Sequence, residues 1–152
     1  MNLTEILSLN QFAPKVSAPD RWGVIDALID MLVRLGKVRP EDRETVRSAV
    51  KARESSNGTG IGYGLALPHA SVPCVNDPVA IVARLNPPVD FQGLDDKPVN
   101  LCVLFLTPQG QFQRHLQTLS AFSRFLSDKE RRSRLENAQT AEEMFAVFRA
   151  AA

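Results

Sequence analysis

Long apolar runs are missing from this 152-residue chain. A membrane-spanning helix needs about 18 or more such residues in a row, and no block of the sequence comes near that. A surplus of one charge is missing as well. Lys plus Arg is 18 and Asp plus Glu is 17, for a formal net charge of +1. A protein that binds nucleic acid by neutralising phosphates needs a basic excess, so that class is set aside. There is no long acidic or basic tail. Cysteine is scarce, with Cys74 and Cys102 beside apolar runs and no Cys-x-x-Cys spacing. They read as reduced core thiols of a cytoplasmic protein. The opening MNLTEILSLNQF has Glu5 inside its apolar stretch, no basic lead-in and no small-residue cleavage site, so no secretory leader is read there.

What is present is ordinary for a globular domain. Hydrophobic residues make up 44% and charged residues 23%, enough to build a core and solvate its exterior. The length suits one domain over residues 1–152. Helix-like and strand-like blocks alternate without internal repeats. The reading is an α/β single domain.

Trp22, Ile25, Leu28, Ile29, Leu32 and Leu35 recur at helical spacing. Ser17 and Asp20 are candidate caps, Pro19 stands in the first turn and Gly36 stops the helix. A second helix is expected from Pro40 to about Ser55, with a thin stripe of Val46, Ala49 and Val50 and with Arg53 at the stripe's edge. Buried strands are expected at Leu65–His69, Val79–Leu85 and Val99–Leu106, joined by loops at Pro87-Pro88 and Asp95-Asp96. A helix from about Phe112 to Leu126 is expected to bury Leu116, Leu119, Phe122 and Leu126. A charged turn at Asp128–Arg134 follows, and then a helix capped by Thr140 and Glu143.

Few residues carry chemistry. His69 closes an apolar run just after Pro68, where strand pairing tends to stop. A side chain at such an end faces a site in many open sheets. Gly58, Gly60, Gly62 and Gly64 allow close backbone approach and an anion-binding nest. The run lacks the Gly-Lys-Ser/Thr of a Walker loop, and no strand–helix frame makes it a dinucleotide fingerprint. His115 falls in the first turn of a helix, where anions are favoured. Arg53 can hold a phosphate or carboxylate with two bonds. Each also has a plain reading: a strand-capping histidine, a flexible loop, a surface histidine, a solvated charge. His69, His115, Cys74 and Cys102 have no zinc-ligand spacing, which weakens the reading of a metal-dependent hydrolase.

The pattern becomes specific when read together. Glu54, six residues, Ile61-Gly62, two residues, and Leu65-Ala66-Leu67-Pro68-His69-Ala70 resemble the active-site signature of type-2 IIA domains of the phosphotransferase system, the mannitol/fructose/nitrogen-regulatory family. Arg53 before Glu54, and His115-Leu116-x-x-Leu119-Ser120, resemble two further family motifs. Ala70, where glycine is common, and the Gln109-Gly110-Gln111 lead-in to His115 depart from the pattern. The resemblance implies that the α/β domain is a mixed parallel/antiparallel sheet flanked by helices on both sides, and that His69 is the phosphoacceptor. It implies that His115 hydrogen-bonds the ring or the phosphoryl group and that Arg53 offsets its charge. Thr59, Gly60, Gly62 and Tyr63 are expected to line the substrate site. No cofactor and no metal are implied.

The expected function is a cytoplasmic phosphocarrier that accepts a phosphoryl group from an HPr-like phosphohistidine protein. The opening and length are most similar to the nitrogen-regulatory branch, a signalling role. The alternatives are a fructose- or mannitol-type transport component passing the group to a IIB domain, and a non-catalytic binding module of the same fold. Neither nucleic acid nor membrane insertion is expected.

Overall fold

The computed structural model describes residues 1–151. Its spine is strand β6 (Val99–Pro108). Period-2 alternation splits its side chains between two cores. Leu101, Val103 and Phe105 face one, and Cys102, Leu104 and Leu106 face the other. Strand β5 (Val79–Val89) runs antiparallel beside it, and β1 (Phe12–Val16) adds in parallel to β5. On its other flank β6 pairs in parallel with two short strands, β3 (Leu65–Ala66) and β4 (His69–Val72). β2 (Gly60–Gly62) pairs antiparallel with β3. The sheet order is β1-β5-β6-β3-β2, with β4 continuing along β6 beyond β3.

Helices α1 (Arg21–Arg34) and α2 (Arg43–Ser56) cover one face. Asp20 caps α1 through the Gly23 amide at 2.8 Å, and Gly36 takes the left-handed conformation after it. Val24, Ile25, Leu28, Ile29 and Leu32 of α1 are buried with Val46 and Val50 of α2. Asp26 binds Arg47 at 2.8 Å and Lys51 at 3.0 Å, and Asp30 binds Arg43 at 2.5 Å, which ties α2 to α1. The far end of α2 is thereby fixed against β4.

The other face holds α3 (Phe112–Leu126), α4 (Lys129–Asn137) and α5 (Ala141–Ala150). Phe122 of α3 stacks on Phe105 with centroids 5.7 Å apart, and Phe125 stacks on Phe148 of α5 at 4.2 Å. Burying such rings contributes roughly 1.5–3 kcal/mol each.

Several sequence expectations change here. The Leu65–His69 run is two strands, and His69 begins β4 instead of ending a strand. Pro68 lacks an N–H, but its carbonyl accepts from Phe105 at 3.1 Å, so the ladder steps over the break. Pro87 and Pro88 lie within β5, in a stretch where its register with β6 shifts. The charged turn is helix α4, capped by Asp128 and anchored by buried Leu135. The buried stripe of α3 is Thr118, Phe122, Phe125 and Leu126, while Leu116 stays 47% exposed. Phe122 docking on Phe105 sets that rotation.

Candidate active site

The parallel register of β4 on β6 assembles the site. It puts His69 opposite Phe105 and Ser71 opposite Thr107. Alternate residues of a strand share a face, so all four side chains meet the layer that holds α3. The turn into α3 is fixed by the Gln109 amide on the Val72 carbonyl at 2.9 Å and by Gly110 at φ +82°. His115 follows in the first turn of α3, and its ring lies 5.2 Å from that of His69. Histidines 46 positions apart in sequence thus become neighbours.

His69 is 5% exposed. Its ring lies flat on Phe105, centroids 4.8 Å apart and planes 10° from parallel. Nδ1 is 2.6 Å from the Leu67 carbonyl oxygen. A carbonyl only accepts, so Nδ1 carries the proton and Nε2 keeps its lone pair. The ring's pKa is pulled from 6.5 to about 4, first by burial and then by the charges of Arg53 and His115; the Leu67 bond works against the fall. His115 is shifted down too, by burial and by Arg53. Both rings are therefore neutral near pH 7. His115 Nδ1 lies 2.6 Å from Thr107 Oγ1 and 3.2 Å from Ser71 Oγ.

The depressed pKa has a consequence for stability. The unfolded ring titrates near 6.5, so the unfolded chain binds this proton more readily. The stabilising contribution of neutral His69 is complete above pH 6.5 and is lost as pH falls toward 4, by up to about 3 kcal/mol. We expect His69→Gln, whose amide can still donate to Leu67, to flatten the fall in urea-unfolding free energy between pH 6.5 and 4.

Arg53 is half-buried at the end of α2, its guanidinium donating to the Asn57 carbonyl. Its positive charge adds to burial in holding both imidazoles below their ordinary pKa. The preceding packing explains its placement. Glu54 is buried and accepts from the Thr59 amide at 3.1 Å and from the Thr59 hydroxyl. Its other oxygen lies 3.5 Å from Arg21. The Thr59 carbonyl in turn accepts from the Leu67 amide at 3.0 Å. The end of α2 is thus tied to the segment that carries His69. Glu54 stood in the sequence motif, but its partner Arg21 lies 33 positions away and only the fold joins them. Ser71, Thr107 and Phe105 join the site with no motif to mark them; alternation along β4 and β6 is the available signal.

The glycine run is not an open anion nest. Gly60 and Gly62 sit in β2, and two amides of the run are already taken, that of Thr59 by Glu54 and that of Tyr63 by Asp95 at 3.0 Å. A Cβ on Gly60 would stand 3.0 Å from the Gly93 Cα, and one on Gly64, at φ +74°, would stand 2.8 Å from Asn100 Oδ1. These glycines serve close packing and a turn. Gly62 and Tyr63, expected to line the substrate site, lie at the end of β2 and in the turn that leads into β3. Leu65 pairs with Leu101, four positions before Phe105, or roughly 13 Å along β6. Tyr63 is 66% exposed and lies under Arg132, which donates to carbonyls at the C-terminal end of α3. That is the end of α3 away from His115. Thr59 and Gly60 do border the segment before His69, as framework.

Comparison with known proteins decides the family. Residues 5–151 match the family described as phosphoenolpyruvate-dependent sugar phosphotransferase system, EIIA 2. The chain belongs to that family. Its members are phosphotransferase phosphocarriers, and this EIIA domain has both sugar-specific and nitrogen-regulatory relatives. It is 37% identical over 127 residues to a fructose-specific EIIA component of Haloferax volcanii, covering 82% of this chain and 81% of the relative. It is 29% identical over 147 residues to a nitrogen regulatory protein of Pseudomonas aeruginosa, covering 97% and 94%. The crystal structure of nitrogen regulatory protein IIA-Ntr from Neisseria meningitidis superposes with a TM-score of 0.86 at 28% identity, covering 96% of this chain and 98% of that one. It shares the open mixed sheet and its helices. The mannitol IIA of Escherichia coli, solved with phosphorylated IIB, shares the fold at a TM-score of 0.79 and 19% identity, covering 95% and 97%. Among the described residues, no helix of the EIIA domain is long and apolar enough to cross a membrane.

Proposed function

We propose that this EIIA domain is a cytoplasmic phosphocarrier that takes a phosphoryl group on Nε2 of His69 from an HPr-like phosphohistidine protein. The observation that carries this reading is the Leu67 carbonyl on Nδ1 of a ring kept neutral: it leaves one nucleophilic nitrogen, Nε2. As the Nε2–P bond forms and the donor's N–P bond breaks, the electron pair of the broken bond returns to the donor's nitrogen. Positive charge then grows on the His69 ring, and the Leu67 carbonyl stabilises it through Nδ1–H. His115 and Arg53 face the negative equatorial oxygens, the charge that an enzyme must stabilise in such a transfer. No metal is called for in these steps. Thr59 and Gly60 hold the segment in place.

Arg53→Ala slows acceptance about tenfold, the loss of one charged hydrogen bond at a half-exposed position. Rapid-quench phosphorylation by a phosphorylated HPr-type donor measures it. The same assay, read by intact mass, tests the function. Wild-type protein gains the mass of one phosphoryl group, and failure to gain it with a competent donor contradicts the proposal.

For the output we propose a nitrogen-regulatory-type signal, in which the added charge changes protein binding. Support comes from the near full-length match in both directions to the Pseudomonas aeruginosa protein. A second reading, transfer to a IIB domain in fructose-type transport, draws on the 37% identity to the Haloferax volcanii component. Pull-downs with phosphorylated and unphosphorylated protein separate them. A soluble target that binds one form supports regulation, and capture of a IIB protein alone supports transport.

A further inference from the structure

Two hydroxyls of the site have no task in the transfer steps above. Ser71 and Thr107 stand directly across from each other on β4 and β6, with oxygens 3.2 Å apart. Thr107 has no exposed surface, while Ser71 is open to solvent. Among the described residues, the Thr107 hydroxyl bonds only Ser71 and Nδ1 of His115. These contacts satisfy the fully buried Thr107 hydroxyl and at the same time tie it to one edge of the His115 ring.

We propose that Ser71 and Thr107 are positioning residues that form a hydroxyl relay behind His115. The relay keeps the Nε2–H of His115 available to the phosphoryl group and lets the ring take a second proton from solvent, or return it, with no change beyond the direction in which the two hydroxyls point. The use of the relay rests on the phosphocarrier reading; its geometry does not.

The proton count closes in both states. With His115 neutral, Thr107 O–H donates to Nδ1, Ser71 O–H donates to Thr107 Oγ1, and the ring's own proton sits on Nε2. With His115 charged, Nδ1–H donates to Thr107 Oγ1, Thr107 O–H turns to Ser71 Oγ, and Ser71 O–H turns to water. The added proton comes from solvent. Thr107 keeps a partner for its hydroxyl proton in each state, so no buried polar group is stranded. Serine at position 71 supplies the exposed end that makes the reversal possible. The charged groups facing His115 from neighbouring elements are Arg53 of α2 and the titratable ring of His69 of β4. Arg114, on the same helix, is held by Asp77 at 2.9 Å. A dianionic phosphoryl group on His69 raises the proton affinity of His115, and the relay accommodates the result.

The test is nitrogen-15 NMR of the His115 ring in the unphosphorylated full chain across pH. Wild type, Thr107→Val, Thr107→Ser and Ser71→Ala are compared. The proposal expects neutral wild-type His115 to carry its proton on Nε2. Thr107→Val keeps the shape but removes the nearer acceptor of the charge-assisted bond, 2.6 Å from Nδ1 against 3.2 Å for Ser71. Its His115 midpoint falls by about one unit, a tenfold loss of proton affinity. Thr107→Ser restores the wild-type midpoint, and Ser71→Ala gives a smaller fall. A neutral wild-type ring protonated on Nδ1 overturns the proposal. So does a Thr107→Val midpoint equal to wild type, or, should that variant not fold, an unmoved midpoint in Ser71→Ala. The phosphocarrier reading fails on a separate observation, a wild-type chain that takes no phosphoryl group, and that result leaves the ring spectra unchanged.

Discussion

His69→Ala abolishes phosphoryl acceptance, and no neighbouring group restores it. The expectation follows from how few nucleophiles the site contains. His115 is 5.2 Å away and its Nδ1 is engaged by the Thr107 hydroxyl. Burial and the neighbouring carboxylate of Glu54 push the Cys102 thiol far up, so it is no thiolate. Cys102 also points to the opposite core from His69. Intact-mass measurement after exposure to a phosphorylated donor reads the result directly, with wild type as the positive control. His115→Ala differs in kind. It leaves Nε2 of His69 in place and removes one stabilising group, so acceptance slows by about a hundredfold and does not vanish. A phosphorylated His69→Ala protein requires another acceptor and breaks the assignment.

Phe105→Ala carries the largest expected cost in stability, about 3–5 kcal/mol. Phe105 is fully buried on β6. Its ring lies between His69, at 4.8 Å, and Phe122, at 5.7 Å. Truncation opens a cavity where the sheet, α3 and the imidazole meet, and rigid strands on either side limit its collapse. Urea unfolding measures the loss as a lower midpoint at unchanged slope. Phe112→Ala is the contrast. That ring is 73% exposed, so its removal changes stability by no more than about 0.5 kcal/mol. Phe105→Leu fills most of the space but removes the flat platform under His69. It separates the two roles: a modest loss of stability with a larger loss of acceptance marks Phe105 as the support of the ring's orientation.

The features legible in the sequence are those that local rules determine. Helix α1 shows its Asp20 cap, its apolar spacing and its Gly36 stop, and the structure uses all three. Strands β5 and β6 show as apolar runs because both of their faces are buried. The two histidines and Arg53 could be singled out because the signature motif and a helix start mark them. What escaped depends on contacts far apart in sequence. Strand β1 contains Pro14, an interior proline that argues against a central strand. It is tolerated because β1 is at the sheet's edge and pairs only with β5. Helix α4 has one buried anchor, Leu135, in a charged segment, so periodicity gave it no stripe. The rotation of α3 differs from its apolar spacing because Leu116 fits that spacing, whereas Phe122 docks on the Phe105 ring of β6. The glycines looked like a ligand cradle because glycine permits close approach by any partner. Here, at Gly60, that partner is the backbone of Gly93.

Phosphorus-31 and nitrogen-15 NMR of the phosphorylated wild-type chain locates the phosphoryl group within the His69 ring. The expected result is a P–N coupling to Nε2, with Nδ1 still protonated toward Leu67. Coupling to Nδ1 of His69, or to either nitrogen of His115, would contradict it.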